Sequence, residues 1–412
     1  MLRIRVLVCL LALMAPALTA GAADTKATVS AGNTDRHDTP VSVDLKLTAE
    51  QMTQPICVVS DGRTQPAQVE PLADGQARVW WIIDNLPQGT SRTIEIQRGK
   101  VSDPPASEAF SWKDTSRDNV KSRDLCFGDR PVLRYMYTPF DGTGKDTIDI
   151  TRKPYYHVFD PDGSRLITKG EGGLYPHHRG IFYGHNRVKV HGQEKTLDVW
   201  SASDAHQIHT KFIREFAGPV LGGHVVTVDW KDLEGKTFAT ETRTVRVFRS
   251  PRGQTLIQFD TTIVTSGGPV ALESSNNHHG GVQFRAAQAV AENKQDTRFL
   301  RPGKWTTMPA DKAIDTEQHP DFKDLPWNAT QYKLDDRSYT VVNLCHPKNP
   351  RNAEMSERDY GRFGEYSTWK LTKDTPLSLT YRFWVVAAHD VKPAQVDLKA
   401  ADFSNPPKVN LD

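Results

Sequence analysis

The stretch 175–188, YPHHRGIFYGHNRV, sets three imidazoles, two guanidinium groups and an amide within fourteen residues. Imidazole both titrates near neutrality and ligates transition metals. Guanidinium binds carboxylates and phosphates as a planar fork. Proton transfer, polyol or anion binding, and metal coordination are therefore the chemistries within reach. The chain has 14 histidines, and nine of them (177, 178, 185, 191, 206, 209, 224, 278 and 279) fall between His177 and His279. A second doublet, SSNNHHGGVQFR at 274–285, repeats the layout of the first: His-His, glycine, then a strand-like run. The two doublets are expected to meet at one rim of a β-sandwich. His178 and His185 would be acid/base groups there, with His177, Arg179, Asn186 and His279 contacting substrate. The competing reading is that these imidazoles cap strand ends and bond backbone groups.

Carboxylates supply the partners such chemistry needs. Asp198 in LDVW and Glu273 in ALESSNN are the catalytic candidates, Glu273 because it ends a strand beside the second doublet. Asp359 and Glu365 in ERDYGRFGEY are further carboxylates in reach of the argument. In NLCHPKNPRN (343–352), Pro347 and Pro350 stiffen a loop on which His346, Asn349 and Arg351 are expected to bind a polyhydroxylated or anionic ligand. Trp200, Trp327, Tyr360 and Phe363 are placed to stack on sugar rings or to fill the core. His/His/carboxylate sets also suit zinc, iron or copper. No HExxH or CxxC spacing occurs, so any metal ligands must be assembled from distant strands, and the sequence leaves metal and cofactor unassigned.

The elements that must position these residues are strands. Arg3 and Arg5, an apolar run from Val6 to Leu18, and Ala20-Gly21-Ala22 read as a signal peptide over 1–23. That predicts a periplasmic or extracellular protein with no stable membrane insertion after processing. Residues 24–100, after a short flexible lead, alternate apolar and polar residues in VSVDLKL and RTIEIQRG and predict a small β-sandwich. Residues 101–122 carry a Pro-Pro pair and are linker-like. Residues 123–392 predict a large antiparallel β-sandwich carrying the site, with HVVTVDW and TFATETRTVRVF forming a hairpin across KDLEGK. The tail, 393–412, is polar and expected to be loosely attached. A net charge of +2, with Lys and Arg scattered, gives no reason to expect nucleic-acid binding. Cys57, Cys126 and Cys345 allow one disulfide but no framework.

Taken together, TDRHDTPVSVDL, YPHHRGIFYGHNRV, LDVW, HPKNPRN…RDYGRF and LSLTYRFWVV resemble, in order and over nearly the whole mature chain, a bacterial family labelled "methane oxygenase PmoA", otherwise classed as a domain of unknown function. Its central motif falls on His177, His178, Arg179, Gly180 and His185, and its later one on His346, Pro347, Asn349, Pro350 and Arg351. The chain departs from it at NNHHGGVQFR, where many members are apolar, so His278 and His279 are read from this chain alone. The resemblance implies an all-β, galactose-mutarotase-like supersandwich and a role near carbohydrate breakdown. The expectation is an exported carbohydrate-active enzyme, a hydrolase, lyase or epimerase, working by His/carboxylate chemistry. A non-catalytic glycan-binding protein is the second reading. A metal-dependent oxidoreductase, following the family label, is the third.

Overall fold

The computed structural model describes residues 24–72, 74–99, 101, 104–275, 278–307 and 319–412. The expected signal segment lies outside them. No helix among the described residues is long and apolar enough to cross a membrane. The fold is all-β, as the alternating patterns require: every ladder between named strands is antiparallel, and two eight-stranded sheets dominate.

The front sheet runs Glu354–Arg358, Arg362–Tyr366, Gly280–Arg285, Gly180–His185, Tyr155–Val158, Arg130–Met136, Ser122–Phe127 and Phe110–Asp114. The rear sheet is built on four long neighbours, Ala205–Phe216, Leu221–Asp232, Thr237–Phe248 and Gln254–Thr265, followed by Leu377–Val386 and Arg337–Cys345. The expected hairpin is present, with His224 opposite Val245 and Trp230 opposite Ala239. Alternate residues of each strand face the partner sheet. Tyr156, Ile181, Tyr183, Val282, Phe284 and Phe363 of the front sheet pack on Val226, Val245, Ile257, Phe259 and Phe383 of the rear one. Phe284 and Phe383 meet with ring centroids 6.1 Å apart.

Residues 25–98, with Lys408–Leu411 as the fifth strand of one sheet, form a smaller sandwich of a five- and a three-stranded sheet around Val29, Val41, Val79, Trp81 and Ile96. Three expectations about the connecting segments fail. The lead is not flexible: Thr25–Ser30 is a strand paired with Ser91–Arg98. The linker-like segment contains Phe110–Asp114, the edge strand of the front sheet, because Phe110 and Trp112 have an apolar face to bury. The tail is docked. Helix Pro393–Ser404 places Val396, Ala400 and Phe403 on one face against Trp327 and Trp384, and Lys408–Leu411 pairs with Thr25–Ser30. Its apolar residues keep a helical period that polar composition masks. Cys57, Cys126 and Cys345 are all buried, and no two of them are bridged to one another.

A histidine cluster on the front sheet as candidate functional site

The outer face of the front sheet carries polar side chains that are nonetheless buried: His157, Gln283, Arg285 and Arg362. Loops roof them over. The loop ending in HHRG enters the strand at Gly180, whose φ is +42° and where a Cβ would stand 2.0 Å from the Tyr156 carbonyl oxygen. The second doublet enters its strand at Gly280-Gly281; Gly281 has φ +78°, and a Cβ there would stand 2.1 Å from the Glu365 carbonyl oxygen. Only glycine takes these conformations without strain. Because the two strands are direct neighbours, with Gly180 opposite Arg285 and His185 opposite Gly280, both doublets arrive at one place.

There His177, His178 and His279 converge. One ring nitrogen from each lies within 4.8 Å of the others. His177 stands edge-on to His178 at 4.2 Å between centroids, and His279 lies 5.8 Å from His178. Trp200 walls the cluster, 5.4 Å from His178 and 5.5 Å from His279. Tyr360 stacks on His178 at 6.0 Å. The Trp200 indole N–H donates to His178 Nε2 at 3.1 Å. That nitrogen therefore carries the lone pair, and the proton of the neutral ring sits on Nδ1, which is buried and has no hydrogen-bond partner among the described residues. Two cations adjoin. The Lys153 ammonium donates to the Trp200 carbonyl and lies 4.9 Å from the Phe182 ring. The Arg362 guanidinium lies 5.6 Å from the Trp200 ring and donates to Gln283 at 2.9 Å.

Burial depresses all three imidazoles, and neighbouring cations add to it. His279 falls to about 4, with Arg362 the next cause; His177 falls to about 2, with Lys153 next; His178 falls well below the usual value, with Arg362 next. The cluster is thus neutral at neutral pH, a set of bases and N–H donors.

The other expected site residues lie elsewhere or do something else. His185 is not with the cluster. It sits on the inward face of its strand, where Nδ1 bonds the Glu273 carbonyl at 3.0 Å and Nε2 the Tyr183 hydroxyl at 3.1 Å. Strand alternation accounts for this: Phe182 and Gly184 face Trp200, and Tyr183 and His185 face the core. Arg179 is buried beside the cluster but spends its guanidinium on the Pro176 and Ile150 carbonyls. Asn186 clasps Ser275 through both backbone and hydroxyl. The Glu273 carboxylate pairs with Lys189 at 3.0 Å, and Asp198 accepts from the Ser201 N–H at 2.7 Å while acting electrostatically on Lys153. Neither forms an acid/base pair with the cluster.

His346, Asn349 and Arg351 form a second locus. They line a cavity of about 230 Å³ with Cys345, Asp324 and Glu365. Asn349 bonds the backbone of Thr380, and Arg351 pairs with Asp324 at 3.4 Å. Glu365, fully buried, accepts from the Tyr381 hydroxyl at 3.0 Å, and desolvation raises its carboxyl to about 7. It shares a strand with Arg362, but three residues on, so it faces the rear sheet and not the histidines. A larger cavity of about 810 Å³ lies by the N-terminal sandwich; Cys57 is its only titratable lining residue among those described. Lys153, Arg285 and Arg362 were missed in the sequence. The available signal was polar residues alternating with aromatics in GGVQFR and RFGEY, the mark of a sheet face that is polar yet covered.

A supersandwich whose front sheet is roofed over a cluster of neutral imidazoles is the class this chain defines. The chain belongs to the Family of unknown function (DUF6807), which matches residues 122–401 and so takes in the whole cluster. No curated protein matches it. Among solved structures it is similar to a GH36 α-galactosidase from Geobacillus stearothermophilus in complex with raffinose, with a TM-score of 0.32 and 12% identity over 68% of this chain. It spans 40% of that enzyme's chain.

Proposed function

We propose that the protein is an exported carbohydrate-active enzyme whose site is the His177/His178/His279 cluster, and that an imidazole acts there as the proton-transferring base. The observation that carries this reading is the convergence of three neutral imidazoles, one with an unpartnered buried N–H, against an aromatic wall of Trp200 and Tyr360. Aromatic faces stack on sugar rings, and an N–H donor aimed at a buried site needs an oxygen to satisfy it. Glycoside hydrolysis ordinarily takes two carboxylates across one bond. Asp198 and Glu273 are engaged otherwise, so the arrangement favours a lyase or epimerase over a hydrolase. Purified His177→Ala, His178→Ala and His279→Ala proteins assayed on glycan panels test this. Each is expected to lose at least a hundredfold in turnover, while folded content by circular dichroism is kept. Unchanged turnover in all three would overturn the assignment, and saturable sugar binding without product would point to a glycan-binding protein.

The spacing of the three nitrogens favours a metal centre as the second reading, the one the methane-oxygenase label would ask for. The residues fit a metal incompletely. The Trp200 N–H occupies His178 Nε2, and ligation through Nδ1 would need the proton moved to Nε2, facing the same donor. His177 and His279 are free of this conflict, so a metal would be held by two imidazoles unless Trp200 moves.

A further inference from the structure

We infer that the sugar bound at the histidine cluster carries a negative charge, most simply the carboxylate of a uronic acid, held within reach of Lys153 and Arg362. This rests on the sugar-site reading and narrows it to a substrate class. Elsewhere in the protein several buried guanidinium groups each meet a carboxylate. Arg36 pairs with Asp402, Arg243 with Glu241, Arg246 with Glu70 and Arg301 with Glu357, at 2.7–2.9 Å. Around the histidines the pattern breaks. Lys153, Lys169, Arg179 and Arg285 are all buried, and among the described residues their hydrogen-bond partners are backbone carbonyls alone. Lys153 donates to Trp200, Lys169 to Gly170 and Gly172, Arg179 to Pro176 and Ile150, and Arg285 to Ala286 and Tyr360.

A carbonyl dipole does not neutralise a buried charge: burial pushes Lys153 well below the usual lysine range, with Asp198 opposing, and Lys169 down to about 8, and an anion at the cluster would restore their charged forms. Of the carboxylates in the neighbourhood, Asp149 pairs with Arg152, while Glu171, which accepts from the Tyr155 hydroxyl, and Asp198, which holds the Ser201 N–H and acts electrostatically on Lys153, keep their charge. Four buried cations, Lys153, Lys169, Arg179 and Arg285, face those two carboxylates, so the neighbourhood is short of negative charge by two, and His178 Nδ1–H adds a neutral donor with nothing among the described residues to meet it. Half-buried His177 and His279, with Tyr175 at 43% exposure, form the accessible side. A neutral sugar would satisfy the N–H but leave the cations as they are. An anionic sugar satisfies both. A sulfate ester offers the same oxygens, so the test must tell the two apart.

The experiment is calorimetric titration of the full chain with glucose, glucuronate and glucose 6-sulfate, and with the galacto-configured set, at two salt concentrations. The expected result is at least tenfold tighter binding of a uronate than of its neutral counterpart, narrowing at high salt, with the sulfate ester weaker. In Lys153→Met the uronate preference, read as the ratio of uronate to neutral-sugar affinity in that same variant, is expected to fall below threefold. A tighter sulfate ester would overturn the carboxylate assignment. Equal binding of neutral and anionic sugars by the unaltered protein would overturn the charge inference and leave the sugar site standing. Acetate and sulfate binding as tightly as the sugars would overturn the sugar reading and this inference with it. Arg362→Gln, at the other cation named, serves as the second variant should Lys153→Met fail to fold, with the same fall in uronate preference expected.

Discussion

At 3.1 Å from His178 Nε2, the indole N–H of Trp200 holds the imidazole in one tautomer. Replacing Trp200 by Phe keeps an aromatic ring and removes the donor. Zinc or cobalt bound per chain, measured against a competing chelator, is expected to rise from well below one toward one in this variant; equal stoichiometry in the two proteins would show that the indole exerts no such control. Glu365 makes a prediction of its own. Its carboxyl is raised to about 7 by burial, against 4.5 in the unfolded chain. The folded state therefore holds its proton more tightly, and the associated stability is complete below about pH 4.5 and lost as pH climbs through about 7, roughly 3 kcal/mol in all. Glu365→Gln keeps a neutral polar group there. Urea unfolding at pH 5 and pH 8 is expected to find the variant gaining on the wild type by about 2–3 kcal/mol over that interval, and an unchanged difference would reject the raised pKa. His185, lowered to about 4 by desolvation, works in the opposite sense: its contribution is whole above pH 6.5 and lost as pH falls toward 4.

Two strands side by side, each entered through a His-His doublet and a glycine, are what bring the imidazoles together. Gly180→Ala would thrust a methyl group against the Tyr156 carbonyl, 2.0 Å from an ideal Cβ, at a φ of +42°. The entry loop must shift in response. Stability is expected to fall by about 2–4 kcal/mol, and turnover to fall further than global stability explains, because His178 lies two residues before. Thermal melts and assays on the same preparation separate the two effects. At this scale the sequence was informative. Period-two alternation disclosed the strands and the central hairpin, and the repeated doublet disclosed that two distant segments belong together. Parity along GIFYGH was also legible and already separated His185 from Phe182, but it could not say which face the preceding loop folds over. The role of Arg179 was illegible for a related reason: a guanidinium in a motif looks the same whether it awaits a ligand or holds the loop's own carbonyls. Lys153, which lies in neither GGVQFR nor RFGEY, carries no local signal.

The small sandwich and the large one are joined through buried charge as well as apolar contact. Glu70, on the strand Gln68–Pro71, accepts from Trp80 at 2.8 Å and from Arg246 of the rear sheet at 2.7 Å, and Arg36 reaches Asp402 of the C-terminal helix at 2.9 Å. Trp80 packs on Phe248 at 5.3 Å. The chain is therefore expected to melt in one cooperative transition by calorimetry, and Glu70→Ala, which strips Arg246 of its principal partner, to cost about 3–5 kcal/mol and split the endotherm. A single undisturbed endotherm in the variant would mean that the apolar contacts alone couple the two parts. Thr28 bonds Asp412 across a separation of 384 residues, and the strand ending at Leu411 covers the edge of the first strand. During synthesis that edge waits bare, a template for any stray β-segment, until Lys408–Leu411 has been made. Strand Thr25–Ser30 thus gains its outer partner only after the 384 residues that separate Thr28 from Asp412 have emerged.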